Sequence, residues 1–318
     1  MNGLRARMRG DSGQAMVFIV FALMGLVLMT GLVVDGGSWR RTQRQVQTAA
    51  DAAALAGAQD LPIDGTASAT AVSYAQQNFS GIAAPTITFP STSPCAAHSC
   101  IDVVAAKPVS GIFLPAINAT ARAHARAMVS VPSMMKNVAP VAVKNTVACA
   151  VTNPGCYGQT VTLTFNESQV ASSTIGLIDL TCHSTSTTAC GSTSGIGGSQ
   201  LKDWIDNGFG PALPANQWYA IKTGETVGPV KQGFTDRVGT PLFFPVFDQV
   251  TTTGGSNWFF HIIGWAAFVI DSSSGITWGP QGRSLTGHFV TYTATDLAAG
   301  DPIGGATDFG VHVITLTQ

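Results

Sequence analysis

The chain has 318 residues, of which 45% are hydrophobic and only 10% are charged, with a formal net charge of −1. A typical soluble domain carries about 25% charged residues, so this surface is polar through Gly, Ala, Ser and Thr, a composition suited to an exported protein. Residues 1–50 hold six Arg against two Asp, and the rest holds ten Lys or Arg against fifteen acids. The basic excess therefore flanks an apolar run rather than a folded surface, which argues against a nucleic-acid-binding domain.

That run, Ala15 to Val34, reads AMVFIVFALMGLVLMTGLVV, with no charge and only Thr30 clearly polar. As a helix it spans about 30 Å, the hydrocarbon thickness of a bilayer. A cleaved signal peptide has a shorter apolar core, about 7–15 residues, followed by an A-x-A-like site. Asp35-Gly36-Gly37-Ser38-Trp39-Arg40-Arg41 is not such a site. A type IV prepilin leader would need a Glu shortly after the cleavage point, and residues 1–60 contain none. The reading is a cytoplasmic stub over residues 1–14 and a retained transmembrane helix over residues 15–34. Arg5, Arg7 and Arg9 precede the helix and Arg40, Arg41 and Arg44 follow it, so the positive-inside count is tied.

Residues 38–60 are rich in Ala, Gln and Arg and predict a second helix, with Ser38 as a plausible N-cap. Gly36 and Gly37 permit either a bend or a join to the first. Trp39 and the arginines sit where headgroups are expected. Ala49, Ala53 and Gly57 recur every four residues, a stripe of small side chains along which another helix can approach closely. It either packs on its own domain or forms a seam with another subunit.

Gly13-Gln14-Ala15, the apolar helix, Val34-Asp35-Gly36-Gly37, Arg41 and then Gln47-Thr48-Ala49-Ala50-Asp51-Ala52-Ala53-Ala54-Leu55-Ala56-Gly57-Ala58 follow one another in order. This ordered combination resembles the TadG-like N-terminal segment of the Tad/Flp pilus-assembly family, over residues 13–60 only. The resemblance implies a membrane-anchored protein of bacteria or archaea, linked to assembly or anchoring of thin adhesive pili. It also implies other pilus or secretion-apparatus proteins as partners. Some members carry a von Willebrand A-type domain with a metal site, from which this chain departs, as argued below.

Residues 64–79 predict a further helix, capped by Asp64 or Thr66. Pro85 to Pro90 and Ile101 to Ala106 read as short strands. Over residues 121–131, Ala121, Ala123, Ala125 and Ala127 alternate with Arg122, His124 and Arg126, the pattern of a half-buried strand with a basic outer face. Residues 38–131 thus suggest a small α+β unit, pilin-like in shape. Pro132 to Pro140 reads as a linker. Beyond it, residues 141–318 favour strands over 160–165, 174–180, 218–222, 258–270, 285–293 and 311–316, separated by Gly and Pro turns. Only Gln200 to Asn207 looks helical. A β-sandwich or barrel is the natural expectation for this stretch. Trp204, Trp218, Trp258, Trp265 and Trp278 are better read as core than as a ligand platform.

The six cysteines form three local pairs, Cys95/Cys100, Cys149/Cys156 and Cys182/Cys190, all after the membrane helix. An even number in close pairs reads as disulfides in an oxidising compartment, although six cysteines allow about 15 connectivities. Zinc is the rival, because His98 and His183 lie among them, but no CxxC occurs and no common zinc-ribbon spacing is matched. Disulfides would place residues 38–318 outside the cytoplasmic membrane.

Signs of catalysis are few. Gly191-Ser192-Thr193-Ser194-Gly195 has the frame of a nucleophile elbow, but Thr stands where the nucleophile would be. Asp271-Ser272-Ser273-Ser274-Gly275 is similar to the metal motif of von Willebrand A domains, with Gly275 in place of its last Ser and too little chain after it. His98, His124, His183, His261, His288 and His312 show no metalloprotease spacing, and no Walker A motif occurs. The sequence therefore predicts a non-enzymatic envelope protein with no cofactor or metal. Its partners would be the bilayer, pilus or secretion proteins and another copy of itself, with no nucleic acid. An anchored adhesin or glycan-binding module and an anchored cell-envelope hydrolase are the alternatives.

Overall fold

The computed structural model describes residues 12–113, 118–187, 196–222, 227–254, 257–279, 282–295, 297–303 and 307–317. Helix α1 runs from Ser12 to Ala58, 47 residues without a break, so the two helices expected around Gly36-Gly37 are one rod of about 70 Å. A Cβ at either glycine would meet nothing within 4 Å; exposed glycines weaken a helix but do not end it. Along residues 15–34 every residue but Gly31 is exposed, and α1 is the one helix among the described residues long and apolar enough to cross a membrane. The far half of α1 buries Val46, Ala49, Ala50, Ala53, Ala54 and Ala58. Helix α2, Asp64–Asn78, folds back on it and buries Ala67, Ala71 and Ala75.

The strands follow in chain order: β1 Thr86–Thr88, β2 Cys100–Ser110, β3 Asn118–Pro132, β4 Met134–Met135, β5 Val141–Lys144, β6 Thr160–Phe165 and β7 Ile175–Ser184. After helix α3, Gly198–Asp206, come β8 Leu213–Pro214 and β9 Gln217–Ile221, then helix α4, Val227–Asp236. The remainder is β10 Pro241–Gly254, β11 Asn257–Ile270, β12 Ile276–Gly279, β13 Gly282–Val290, β14 Tyr292–Ala294, β15 Ala299–Pro302 and β16 Val311–Thr317.

The first sheet has the order β1-β2-β3-β16-β14, with β15 also on β3. Its centre is the long β2–β3 hairpin, in register from Cys100 opposite Met128 to Ser110 opposite Asn118. Ala121, Ala123, Ala125 and Ala127 point inward as the alternation predicts, and pack with Val129 and Ile101 against α1 and α2. Small side chains on both surfaces let helix and sheet approach closely.

The second sheet runs β10-β5-β7-β9-β11-β13-β12, with β6 on β13. Because β10 also pairs with β11, the strands β5, β7, β9, β11 and β10 close into a ring, the barrel alternative of the sequence reading. Its interior is aromatic: Phe247 stacks on Phe260 at 3.9 Å between ring centres, and Phe268 meets Phe244 and Phe289. Trp204, Trp265 and Trp278 are buried in the same core, while Trp218 and Trp258 are half-buried at its margin. Helix α4, absent from the sequence reading, lies against β12 through Phe234 and Trp278.

Strand pairing runs across both expected boundaries. The stretch 132–140 is not a free linker: β4 pairs with β8, Val138 bridges both Phe209 and Phe243, and Val138 and Ala139 are buried. From the stretch 141–318, β16 returns to β3, from Val313 opposite Ser130 to Thr317 opposite Arg126. Successive strand residues face opposite sides; Val311 and Val313 enter the larger core while Ile314 packs on the smaller. The last strand thus joins the two parts of the chain.

Candidate functional site at the junction of helix and hairpin

The small-residue stripe comes first. Ala49, Ala53 and Gly57 are buried by the chain's own sheet and second helix. A Cβ on Gly57 would lie 2.7 Å from Ile101 Cδ1 and 2.8 Å from the Ala67 carbonyl. The stripe is therefore filled within the chain, and α1 presents other positions for contact with anything else. Among those positions are the exposed apolar residues between Met16 and Val34.

A second line of residues climbs α1 at four-residue spacing, on which side chains stack one above another: Gly31, Asp35, Trp39, Gln43 and Gln47. It follows the β2–β3 hairpin. At the base, Gly31 lies under Phe113, where an added Cβ would be 2.9 Å from Phe113 Cβ. One turn on, the Asp35 carboxylate accepts the backbone N–H of Ile112 at 2.7 Å and that of Phe113 at 3.2 Å. Trp39, with Leu32, Gly36, Val109 and Ser110, lines an apolar groove of about 310 Å³ between helix and hairpin. Above it the Gln43 amide donates to the Arg122 carbonyl at 2.5 Å and the Gln47 amide to the His124 carbonyl at 3.2 Å.

The two elements keep step because four helical residues rise about 6 Å and two strand residues about 6.7 Å. The glutamines also answer a need of the sheet. Among the described residues β16 pairs with residues 126–130 of β3, and no strand meets the carbonyls of the earlier part of that edge. Unpaired edge groups must find other partners. Gln47 also donates to Asp51 at 2.7 Å, which accounts for the acid beside the alanine stripe.

On the outer face of the hairpin Arg126 grips Asp102 with two bonds, 2.5 and 2.7 Å, and His124 approaches the same carboxylate at 3.5 Å. Arg126 holds the Asp102 carboxyl below its ordinary value, through hydrogen bonding first, against the opposing effect of burial. Asp102 thus offsets one of the two arginines on the basic strand face.

The remaining candidates are dispersed. Cys95 bonds Cys100 and Cys149 bonds Cys156. Cys182 is also disulfide-bonded, while Cys190 and the frame at 191–195 lie outside the described residues. Asp271 accepts from His288 Nδ1 at 2.6 Å and from Thr160, and the hydroxyls of Ser272 and Ser274 meet each other, which makes that stretch a hydrogen-bonded turn. His98, His261 and His312 donate to Asp64, Asp248 and Asp308, and His183 donates to Gln217. Among the described residues no group of three or more His, Cys, Asp or Glu is placed to hold a metal ion. What the junction can do is mechanical: it sets the sheet at a fixed attitude to the membrane-length helix.

Residues 13–60 match the Tad family model, described as "Putative Flp pilus-assembly TadE/G-like". No curated protein and no solved structure matches the chain significantly.

Proposed function

We propose that the chain is a non-enzymatic, membrane-anchored component of Tad/Flp-type pilus assembly or of its secretion apparatus. In this reading the N-terminus is cytoplasmic, residues 15–34 cross the membrane, and the β-rich part stands outside it as an interaction domain. The observation that carries the proposal is the coincidence of the family match, residues 13–60, with α1, Ser12–Ala58, the element on which the rest of the chain is mounted. Support for the orientation comes from the disulfides, which persist in oxidising compartments. The bare apolar half of α1 is the surface for lipid and for the helices of partner subunits, and the β-domain is the surface for other assembly proteins.

The test is a count of surface pili by electron microscopy in a strain lacking the gene. That strain is complemented with the full chain or with a chain starting at residue 36. Truncation from the other end is uninformative, because it removes β16 from the first sheet. Loss of pili, restored by the full chain and not by the anchorless one, is the expected result. Normal pili in the deletion strain would sink the proposal and favour an anchored adhesin or glycan-binding module.

A further inference from the structure

We propose that the tip of the β2–β3 hairpin is a second membrane contact, which inserts Ile112 and Phe113 among the lipid acyl chains of the leaflet nearest the domain. The inference rests on the reading of residues 15–34 as the membrane span.

Depth is the first argument. Gly31 lies three residues before Val34, which puts it about 5 Å inside the apolar boundary at 1.5 Å per residue. Phe113 packs directly on Gly31, the one buried position in the span. A ring in contact with Gly31 shares its depth, so the hairpin tip cannot stay in water while the helix crosses the bilayer. Elements lying in the interface bury their apolar face by a similar depth, about 5–10 Å.

Chemistry is the second. Ile112 is 68% exposed and Phe113 54% exposed within the chain. No charged residue occurs between Lys107 and Arg122. Backbone N–H groups do not enter hydrocarbon unpaired, and the Asp35 carboxylate accepts those of Ile112 and Phe113. Arg40, Arg41 and Arg44 on α1 lie about 9–15 Å beyond Val34, close enough to the surface to attract anionic phospholipid. A single helix leaves a domain free to rotate about its axis; a second, off-axis contact fixes the face that the domain turns to its neighbours.

The full chain is reconstituted in phosphatidylethanolamine–phosphatidylglycerol vesicles under non-reducing conditions, with an environment-sensitive fluorophore on one introduced cysteine. The variants are Phe113→Cys, Ile112→Cys, Leu23→Cys within the span, and Ile63→Cys beyond the far end of α1. Spin-labelled lipids then quench whatever reaches the acyl chains. Expected is quenching and a blue shift at positions 113, 112 and 23 and neither at 63, with positions 112 and 113 quenched more by a label near the glycerol than by one near the chain end. Quenching at 23 without quenching at 112 or 113 overturns the inserted tip and leaves the anchor standing. No quenching at 23 overturns the anchor itself, and the inserted tip with it.

Discussion

Asp35, the residue that directly follows the apolar run of α1, accepts the backbone N–H of Phe113, a residue 78 positions away in sequence. The same carboxylate takes the N–H of Ile112, so one side chain pins the turn of the hairpin to the helix. Gly31 beneath makes room for the Phe113 ring. A small residue and an acid four apart on one face are thus a lock for the hairpin tip.

Asp35→Ala leaves the amides of Ile112 and Phe113 without that acceptor, and a typical hydrogen bond contributes a net of about 0.5–1.5 kcal/mol. Hydrogen exchange at the amides of Ile112 and Phe113 should accelerate while the amides of the β10–β11 pair stay protected. Asp35→Asn keeps one acceptor oxygen and should fall between. Equal protection of the tip in Asp35→Ala and in the parent would show that the carboxylate does not hold it.

Glycine-to-alanine changes on α1 should have opposite signs at two places. Gly37→Ala meets nothing within 4 Å and should stabilise by about 1 kcal/mol through helix propensity. Gly57→Ala presses a methyl to 2.8 Å from the Ala67 carbonyl; backbone cannot retreat as a side chain can, and overpacking of this kind costs about 1–3 kcal/mol. Thermal melts in detergent should move up for the first and down for the second.

The Asp102–Arg126 pair makes a pH-dependent contribution of definite sign. Its carboxyl titrates below the ordinary value in the folded chain. The stability it adds is therefore whole above the ordinary carboxylate range and is lost as pH falls through the lowered folded value. Asp102→Asn should be less stable than the parent near neutrality, and the two should converge in acid. Denaturant midpoints measured down an acid series check this; a gap that widens in acid would reverse the assignment.

Arg237 secures α3 and β10. Its guanidinium donates to the carbonyls of Ile205, Asp206 and Pro241, at 3.0, 2.7 and 2.8 Å, closing the C-terminal end of α3. Burial pulls its pKa down from the ordinary value, yet a guanidinium retains its charge under all ordinary conditions. Arg237→Lys cannot reach three carbonyls with one ammonium, and Arg237→Ala leaves them all unmet. Losses of roughly 1–3 kcal/mol, larger for Ala, are expected in urea unfolding.

Several elements are legible in the amino-acid order alone. The charge-free run at 15–34, the alternation at 121–127 and the β-branched stretches at 160–165, 258–270 and 311–316 each carry a local period. Helix α4 is obscured by Gly228, Pro229 and Gly233, which depress helix propensity; it forms by burying Val230 and Phe234. Strand β10 is obscured by Pro241 and Pro245, residues that count against a strand. The proline-flanked stretch 132–140 reads as a linker because its partners, Phe209 and Phe243, stand far along the chain.

The sequence by itself determined the apolar span, the small-residue helix face and the inward alanines of β3, since these are repeats of 3.6 or two residues written in neighbouring positions. Which surface filled the alanine stripe, which sheet received β16 and what Asp35 was for were decided only by the tertiary structure. Those are choices of partner between segments tens to hundreds of residues apart, and they depend on which pairing buries both faces and leaves no backbone group unmet.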